Sequence, residues 1–554
     1  MSFSASTQPG AASKGPRLFN WRPSNWQVLS MIVALLVLVP LAVLAFAWAE
    51  PAWEIWAHLR ETILNRLILN TITLILGVLT GTLIIGVSLA WLTGACEFPG
   101  RQFFSWALLL PLAMPTYVLA FVTLGIFDFS GPVQTSLRQW LGNEVWFPDM
   151  RSAGGVIMVM TLALYPYVYL LSRNAFQTQG KRALEAAQSL GCSPTKGFFK
   201  VVLPMARPWV AGGASLVLME ALADFGAVSI FNYDTFTTAI YKAWFGFFSL
   251  PAAAQLASLL VAIVFVLIVV EQHLRQRMRF TQSRISPQAE RFHLIGSLRW
   301  LASGYCFSVL AIAFLLPVFQ LLRWTLFIFH EEFDDRYLER LSHSMILGLI
   351  SAALIVFVAL LLAYSSRRHQ DRWTHLLIRT ATLGYALPGT VLAIGIFIPL
   401  AWLDNWMIDF MRNNFNIEMS QFLKGTILIM LIAYLIRFMA AGFKPIDSAM
   451  HRVTNNIDEA SRLMGLRGVN LLLKVHLPIL RGGIFTALTL VFVDVMKEMP
   501  ITLMTRPFGW DTLAVKIFEL TSEGEWERAA LPALTLVLSG LLPIVLLMRQ
   551  ADKA

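Results

Sequence analysis

The chain has 554 residues, of which 57% are hydrophobic and only 14% charged, with a formal net charge of +10. This balance excludes an ordinary soluble domain, and apolar runs near the length of a bilayer span recur along the chain, where a ~30 Å hydrocarbon core takes ~20 apolar helical residues. The basic residues are distributed one loop at a time, with no continuous basic face, so no nucleic-acid partner is expected. Three cysteines, Cys96, Cys192 and Cys306, lie in separate segments without CxxC-like spacing, and nine histidines form no HxxxH or HExxH array. Neither a disulfide framework nor a catalytic metal site is expected.

In chain order, a polar tail over 1–27 precedes the apolar run Gln27–Ala49. That run has no small-residue cleavage site followed by a soluble domain, so it reads as a retained first span and not as a removed signal peptide. The hydropathy pattern predicts twelve spans, near 28–49, 64–94, 103–127, 154–172, 208–231, 252–270, 300–325, 342–364, 376–402, 424–442, 482–503 and 530–548. The fold class is therefore an all-α polytopic membrane protein. It divides into a first six-span unit over 28–270, a linker over 271–299, a second six-span unit over 300–548 and a tail over 549–554.

Loop charge orients these spans, because short basic loops stay cytoplasmic. Residues 173–207 carry six basic residues against one acid, 271–299 six against two, and 443–481 six against three. Loops 50–61, 326–341, 403–423 and 505–528 hold more acids than bases. Both termini are predicted to be cytoplasmic.

The halves repeat. Glu185-Ala186-Ala187, Gly191 and Leu203-Pro204 recur as Glu459-Ala460-Ser461, Gly465 and Leu477-Pro478, 274 residues later, with Lys200 and Lys474 in register. Leu112-Ala-Met-Pro115 likewise aligns with Tyr385-Ala-Leu-Pro388. An even number of spans per unit makes the repeat parallel, with any path most naturally between the halves. In the first copy, residues 181–190 are good helix formers, Gly191 supplies a stop, and a second short helix can start at Ser193-Pro194. The product is a rigid protrusion whose Ala/Leu face can lie in a partner's groove, with Glu185 or Glu459 paired to a basic residue there. A single segment of this kind could as well rest on lipid headgroups; a matched second copy argues for docking.

The Glu-Ala-Ala pattern, a gap of three, Gly and a later Leu-Pro, placed after the fourth span of each half, resembles the cytoplasmic loop of binding-protein-dependent ABC importer permeases. The chain resembles a fused, two-unit permease of the ferric-iron (Fe3+) subgroup, with Glu220-Ala-Leu-Ala-Asp-Phe-Gly-Ala227 and Thr235-Phe-Thr-Thr-Ala-Ile-Tyr241 similar to that subgroup; fused thiamine and aminophosphonate permeases are close relatives. Ser461 departs from the motif's alanine by one small residue. The resemblance implies two copies of a cytoplasmic ABC ATPase docking at Glu185, Ala186, Ala187, Gly191, Glu459, Ala460, Ser461 and Gly465. It also implies a periplasmic substrate-binding protein on the opposite face and residence in the bacterial inner membrane. The chain has no GxxxxGK[ST] phosphate loop. It is therefore expected to be a transport permease and not an enzyme, without a cofactor of its own, with ATP and Mg bound by the partner ATPase. A more distant alternative is an ion-coupled secondary carrier, which would need no duplicated docking segment.

Four intramembrane carboxylates share the same offset: Glu220 and Asp224 in the fifth span, Asp494 and Glu498 in the eleventh. Spacing of four places each pair on one helix face, and an ionised group at mid-bilayer is disfavoured by ~2.5 to 3.5 kcal/mol, so these groups should face a polar cavity or partners. They are candidates for the translocation path. Oxygen ligands suit a hard cation such as ferric ion, so a transient ferric contact at all four is expected, with no fixed metal site. The bland alternative is an arginine partner or a cap on a broken helix near Gly226. Pro115 and Pro388, inside matched spans, are candidate helix breaks. The acidic run Glu331–Asp335 reads as a solvated turn, and eighteen tryptophans suit interfacial belts.

Overall fold

The structure is a computed structural model that describes residues 24–276, 291–369, 371–418, 420–466 and 468–551. Most of the expected N-terminal tail, the centre of the linker with Ser286-Pro287, and the last three residues lie outside the described residues. The described chain is helical throughout apart from one two-stranded parallel pairing of Cys96–Glu97 with Phe292–His293. That pairing ties the linker's described end to the end of the second span.

Eleven helices among the described residues are long and apolar enough to cross a membrane, and the apolar stretch Ala530–Val545 of the last helix supplies a shorter twelfth. The first begins at Ser24, whose hydroxyl accepts from the Gln27 amide at 3.4 Å while Gln27 Oε1 accepts from the Ser24 amide at 3.0 Å, a reciprocal capping box. The repeat extends to helix boundaries. Ala153–Ala175 and Ile427–Met450, Lys181–Ser189 and Asn455–Leu463, and Leu203–Ala223 and Leu477–Lys497 each begin 274 residues apart.

The third and ninth spans are interrupted as Pro115 and Pro388 suggest. A 3-10 turn, Leu110–Ala113 or Leu383–Ala386, is followed by proline in extended geometry, with φ −57° and ψ 146° at Pro115 and φ −57° and ψ 145° at Pro388. Helix resumes at the next residue, because proline's missing N–H and its ring stop the preceding turn but suit a helix start. The fifth and eleventh spans also break. Each stops at residue 223 or 497 and restarts at Gly226 or Pro500. Expecting Glu220 with Asp224, and Asp494 with Glu498, on one continuous helix face was therefore too simple: Asp224 and Glu498 are the residues at which the helices end. Irregular backbone at this depth is tolerated only where protein or a polar cavity covers it.

The two units interlock. The first span packs largely on the second unit: Trp26 lies edge-on to Tyr364 at 4.7 Å, Ser30 donates to Ser365 Oγ at 3.0 Å, and Gln27 donates to Asp371 at 3.2 Å. Reciprocally, the seventh span, Ser297–Glu332, packs on the first unit, with Tyr305 and Ser88 hydroxyls 2.8 Å apart and Trp324 stacked on Phe121. The acidic run after it is more structured than a solvated turn. Helix extends through Glu332, which pairs with Arg528, and Asp334 caps the next helix by accepting from the Tyr337 amide at 2.7 Å.

Candidate functional site

The breaks in the third, fifth and eleventh spans and the turn before the break in the ninth border one cavity of about 200 Å3 between the halves. All four candidate carboxylates line it, together with Pro115, Arg437, Lys497 and the phenols of Tyr117, Tyr167 and Tyr385. Pro388 is not in the lining, but its neighbour Gly389 touches the site. A β-carbon at Gly389 would stand 2.7 Å from Glu498 Oε1. In the first half the shorter Asp224 is met by the side chain of Thr116, which donates to Oδ2. The pairs are complementary in size: a long acid over glycine, a short acid beneath threonine.

Each acid has defined partners. Asp224 Oδ1 accepts from the amides of Ala227 at 2.9 Å and Val228 at 3.3 Å, and Glu498 Oε1 from the amide of Ile501 at 3.1 Å. These carboxylates therefore cap the restarting helices at their positive ends. Glu498 Oε2 also faces Arg437 Nε at 3.3 Å, and Arg437 donates to the Leu387 carbonyl at 2.6 Å. Glu220 Oε1 accepts from Tyr385 Oη at 3.0 Å. Lys497 Nζ donates to the Leu112 carbonyl at 3.0 Å, crossing between the halves. Asp494 is half-buried on the same wall. The caps and the arginine partner of the bland reading are present, on residues that also line the cavity.

Four carboxylates face two cationic side chains, both from the second half, where Ala163 and Ala223 hold the matching first-half positions. Among the described residues no three His, Cys, Asp or Glu side chains are placed to hold a metal ion. Arg437 escaped the sequence reading, although a lone arginine in the apolar run 427–441 is a functional signal in itself. The phenols carried no such signal.

The two repeated segments form matched protrusions. In each, the amide of Gly191 or Gly465 (φ +85° and +82°) donates to residue 188 or 462, and that of Cys192 or Leu466 to residue 187 or 461, at 2.9–3.0 Å. This double bond pattern ends a helix on a left-handed residue, where glycine carries no steric penalty. Ser193 then caps Pro194–Gly197 by accepting from the Lys196 amide at 3.4 Å. Glu185, Ala186, Glu459 and Ala460 are exposed, whereas Ala187 and Ser461 face inward, and Ser461 satisfies its hydroxyl on the Ile457 carbonyl at 2.7 Å. Glu185 lies 3.6 Å from Lys181. Beside the glycines, Leu190 is 86% exposed and its counterpart Met464 81%. Two large apolar side chains thus stand exposed at equivalent points of the two protrusions.

The protrusions are anchored differently. Leu184 and Val202 bury an apolar root in the first. In the second, Asp458 is buried against His476 Nε2 at 2.8 Å and Arg367 Nε at 2.9 Å.

Fold and site define an all-α polytopic membrane protein made of two matched units around a central cavity, with two exposed, matched segments. Residues 83–280 match the family described as binding-protein-dependent transport system inner membrane component. The chain is 27% identical over 496 residues to the Fe(3+)-transport system permease protein FbpB 2 of Haemophilus influenzae, covering 88% of this chain and 90% of that protein. It is also 27% identical over 251 residues to a probable molybdenum ABC transporter permease protein of Haloferax volcanii, covering 44% of this chain and 87% of that one. A third relative, the sulfate transport system permease protein CysT of Escherichia coli, is 27% identical over 244 residues, covering 42% and 84%. Residues 83–280 thus carry the inner-membrane-component domain of binding-protein-dependent transport systems, within a chain that crosses the membrane many times.

Proposed function

We propose that this permease imports ferric iron. The observation that carries the reading is the central wall, where four carboxylates and three phenols from both halves face one space. Carboxylate and phenol oxygens are hard donors suited to a hard cation. The relative with the greatest coverage among those described above is named for Fe(3+) transport; the sulfate and molybdenum relatives match about half the chain. Arg437 and Lys497 favour an oxyanion as the second reading, but both are engaged, Arg437 by Glu498 and the Leu387 carbonyl, Lys497 by the Leu112 carbonyl.

In this account both termini are cytoplasmic, and each protrusion docks on one subunit of an ATPase dimer that binds ATP and Mg. Glu185 and Glu459 supply the charge, Leu190 and Met464 the apolar anchors, and Gly191 and Gly465 the turns. A periplasmic binding protein delivers substrate to the opposite face. The two moving bodies are the units 28–270 and 300–548 with their first spans exchanged. Each protrusion runs through a short helical stretch, 194–202 or 469–476, into the helix that ends at Asp224 or Glu498. Motion of the ATPase dimer is thereby transmitted to the wall of the path. The test is uptake by proteoliposomes holding the permease with its ATPase and binding protein. Ferric ion should accumulate with ATP, and sulfate and molybdate should not; ATP-driven sulfate or molybdate uptake without iron uptake overturns the reading.

A further inference from the structure

A second cavity of about 470 Å3 lies between Leu171, Trp209 and Met219 of the first half and Thr382, Ala440 and Lys444 of the second. Its lining comes from span ends that adjoin the basic loops, so it opens toward the cytoplasm in the orientation proposed above. Tyr385 belongs to the linings of both cavities. It is the one residue the two linings share.

The backbone beneath this ring is fixed. A β-carbon at Gly384 would come within 2.2 Å of the Ile436 carbonyl oxygen, so the 3-10 turn lies pressed against the tenth span, and Arg437 holds the Leu387 carbonyl at 2.6 Å just beyond it. The ring can therefore leave only by turning about its own side-chain bonds or by motion of the whole wall. What holds it is a hydrogen bond across the halves, Tyr385 Oη to Glu220 Oε1 at 3.0 Å. In the first half the matching residue is Leu112, which has no hydroxyl and lines only the central cavity of the two.

We propose that Tyr385 is the gate between the central cavity and the cytoplasmic-side cavity, latched by Glu220 and released when a cation takes that carboxylate. Because one carboxylate oxygen serves both phenol and cation, occupancy of the wall and opening of the exit become a single event. The inference rests on reading the central cavity as a cation path.

The test uses the full chain in inside-out membrane vesicles, with Cys192→Ser and Ala223→Cys, so that one engineered thiol lines the central cavity; Cys96 and Cys306 are buried. A membrane-impermeant thiol reagent is added from the cytoplasmic side. Labelling should be slow with Tyr385 and about tenfold faster with Tyr385→Phe, the factor set by losing one hydrogen bond to a carboxylate, and faster still with Tyr385→Ala. Ferric citrate should accelerate labelling with Tyr385 and not with Tyr385→Phe. Equal rates in all three chains overturn the gate. Faster labelling in both variants without any response to ferric citrate keeps the gate and overturns the cation trigger.

Discussion

Lys497 Nζ donates to the backbone carbonyl of Leu112 at 3.0 Å, joining the break in the eleventh span to the break in the third across the two halves. Gly540 makes room for this link: a β-carbon there would lie 2.2 Å from the Ala113 carbonyl oxygen and 2.7 Å from Lys497 Nζ. Lys497→Met takes the donor from the half-buried Leu112 carbonyl and should destabilise the chain by about 0.5–1.5 kcal/mol, and Gly540→Ala should destabilise it as well by crowding Lys497. Thermal unfolding of the purified chain in detergent checks both; unchanged transitions would show that the link bears no load.

The protrusions are predicted to act as a pair. Glu185→Ala with Glu459→Ala should abolish co-purification of the ATPase while the permease stays folded in the membrane. Leu190→Asp with Met464→Asp should do the same by placing charge in an apolar groove. By contrast, Ser461→Ala, which restores the commoner motif at an inward-facing site, should leave binding within about twofold, as expected of an exchange costing under ~0.5 kcal/mol. Retention of the ATPase by both double variants would remove the docking role.

The anchor of the second protrusion can be converted to that of the first. Asp458→Leu alone takes the carboxylate from the half-buried Arg367, leaving it the Met450 and Thr454 carbonyls, and should cost about 1.5–3 kcal/mol. Combining Asp458→Leu, His476→Val and Arg367→Thr reproduces Leu184, Val202 and Thr93, the matching first-half residues, and should recover most of that loss. Thermal unfolding of the single and triple variants measures the difference; a triple variant no better than the single one contradicts the equivalence of the two roots.

Asp234, in the loop after the fifth span, lies between Arg66 and Lys242, with Lys242 Nζ 2.6 Å from Oδ1. Burial alone would raise its carboxyl, but the hydrogen bonds and charges of Lys242 and Arg66 outweigh that and hold it below the ordinary carboxylate range. A depressed folded-state value means that the clamp stabilises the protein above the unfolded carboxyl's ordinary value of about 4 and loses that contribution as pH falls through the lower folded value. Asp234→Asn should therefore lower the melting temperature at neutral pH, with the difference from the native chain closing below pH of about 4. A gap that persists or widens on acidification contradicts the clamp.

Much of this was legible in the residues. The 274-residue offset, repeated over helix starts, glycines and acids, carried the two-unit organisation, and Pro115 and Pro388 marked breaks because proline's effect on a helix is local. Asp224 and Glu498 were identified as polar-facing but assigned to helix interiors. That a helix stops at them depends on amides of the restarting segment, which only the fold brings within reach. The exchange of first and seventh spans was not legible, since hydropathy specifies a bilayer-spanning helix without naming its neighbour. The Tyr385–Glu220 bond joins residues 165 apart in different halves and has no local signature. Asp458 and His476 were hidden for a related reason: their pairing is visible only once their two helices are folded together.

The central claim is that these acids form the wall of a cation path. Its most direct measurement is ATP-dependent uptake of radioactive ferric iron by proteoliposomes carrying Asp224→Asn and Glu498→Gln together, changes that keep an oxygen to cap each restarting helix while removing both charges. The account predicts that uptake falls by at least about tenfold, given that hydrogen bonds and contacts to charged groups are worth roughly 1.5–3 kcal/mol each, with ATPase docking retained. Uptake equal to that of the native chain, at equal incorporation, would contradict it.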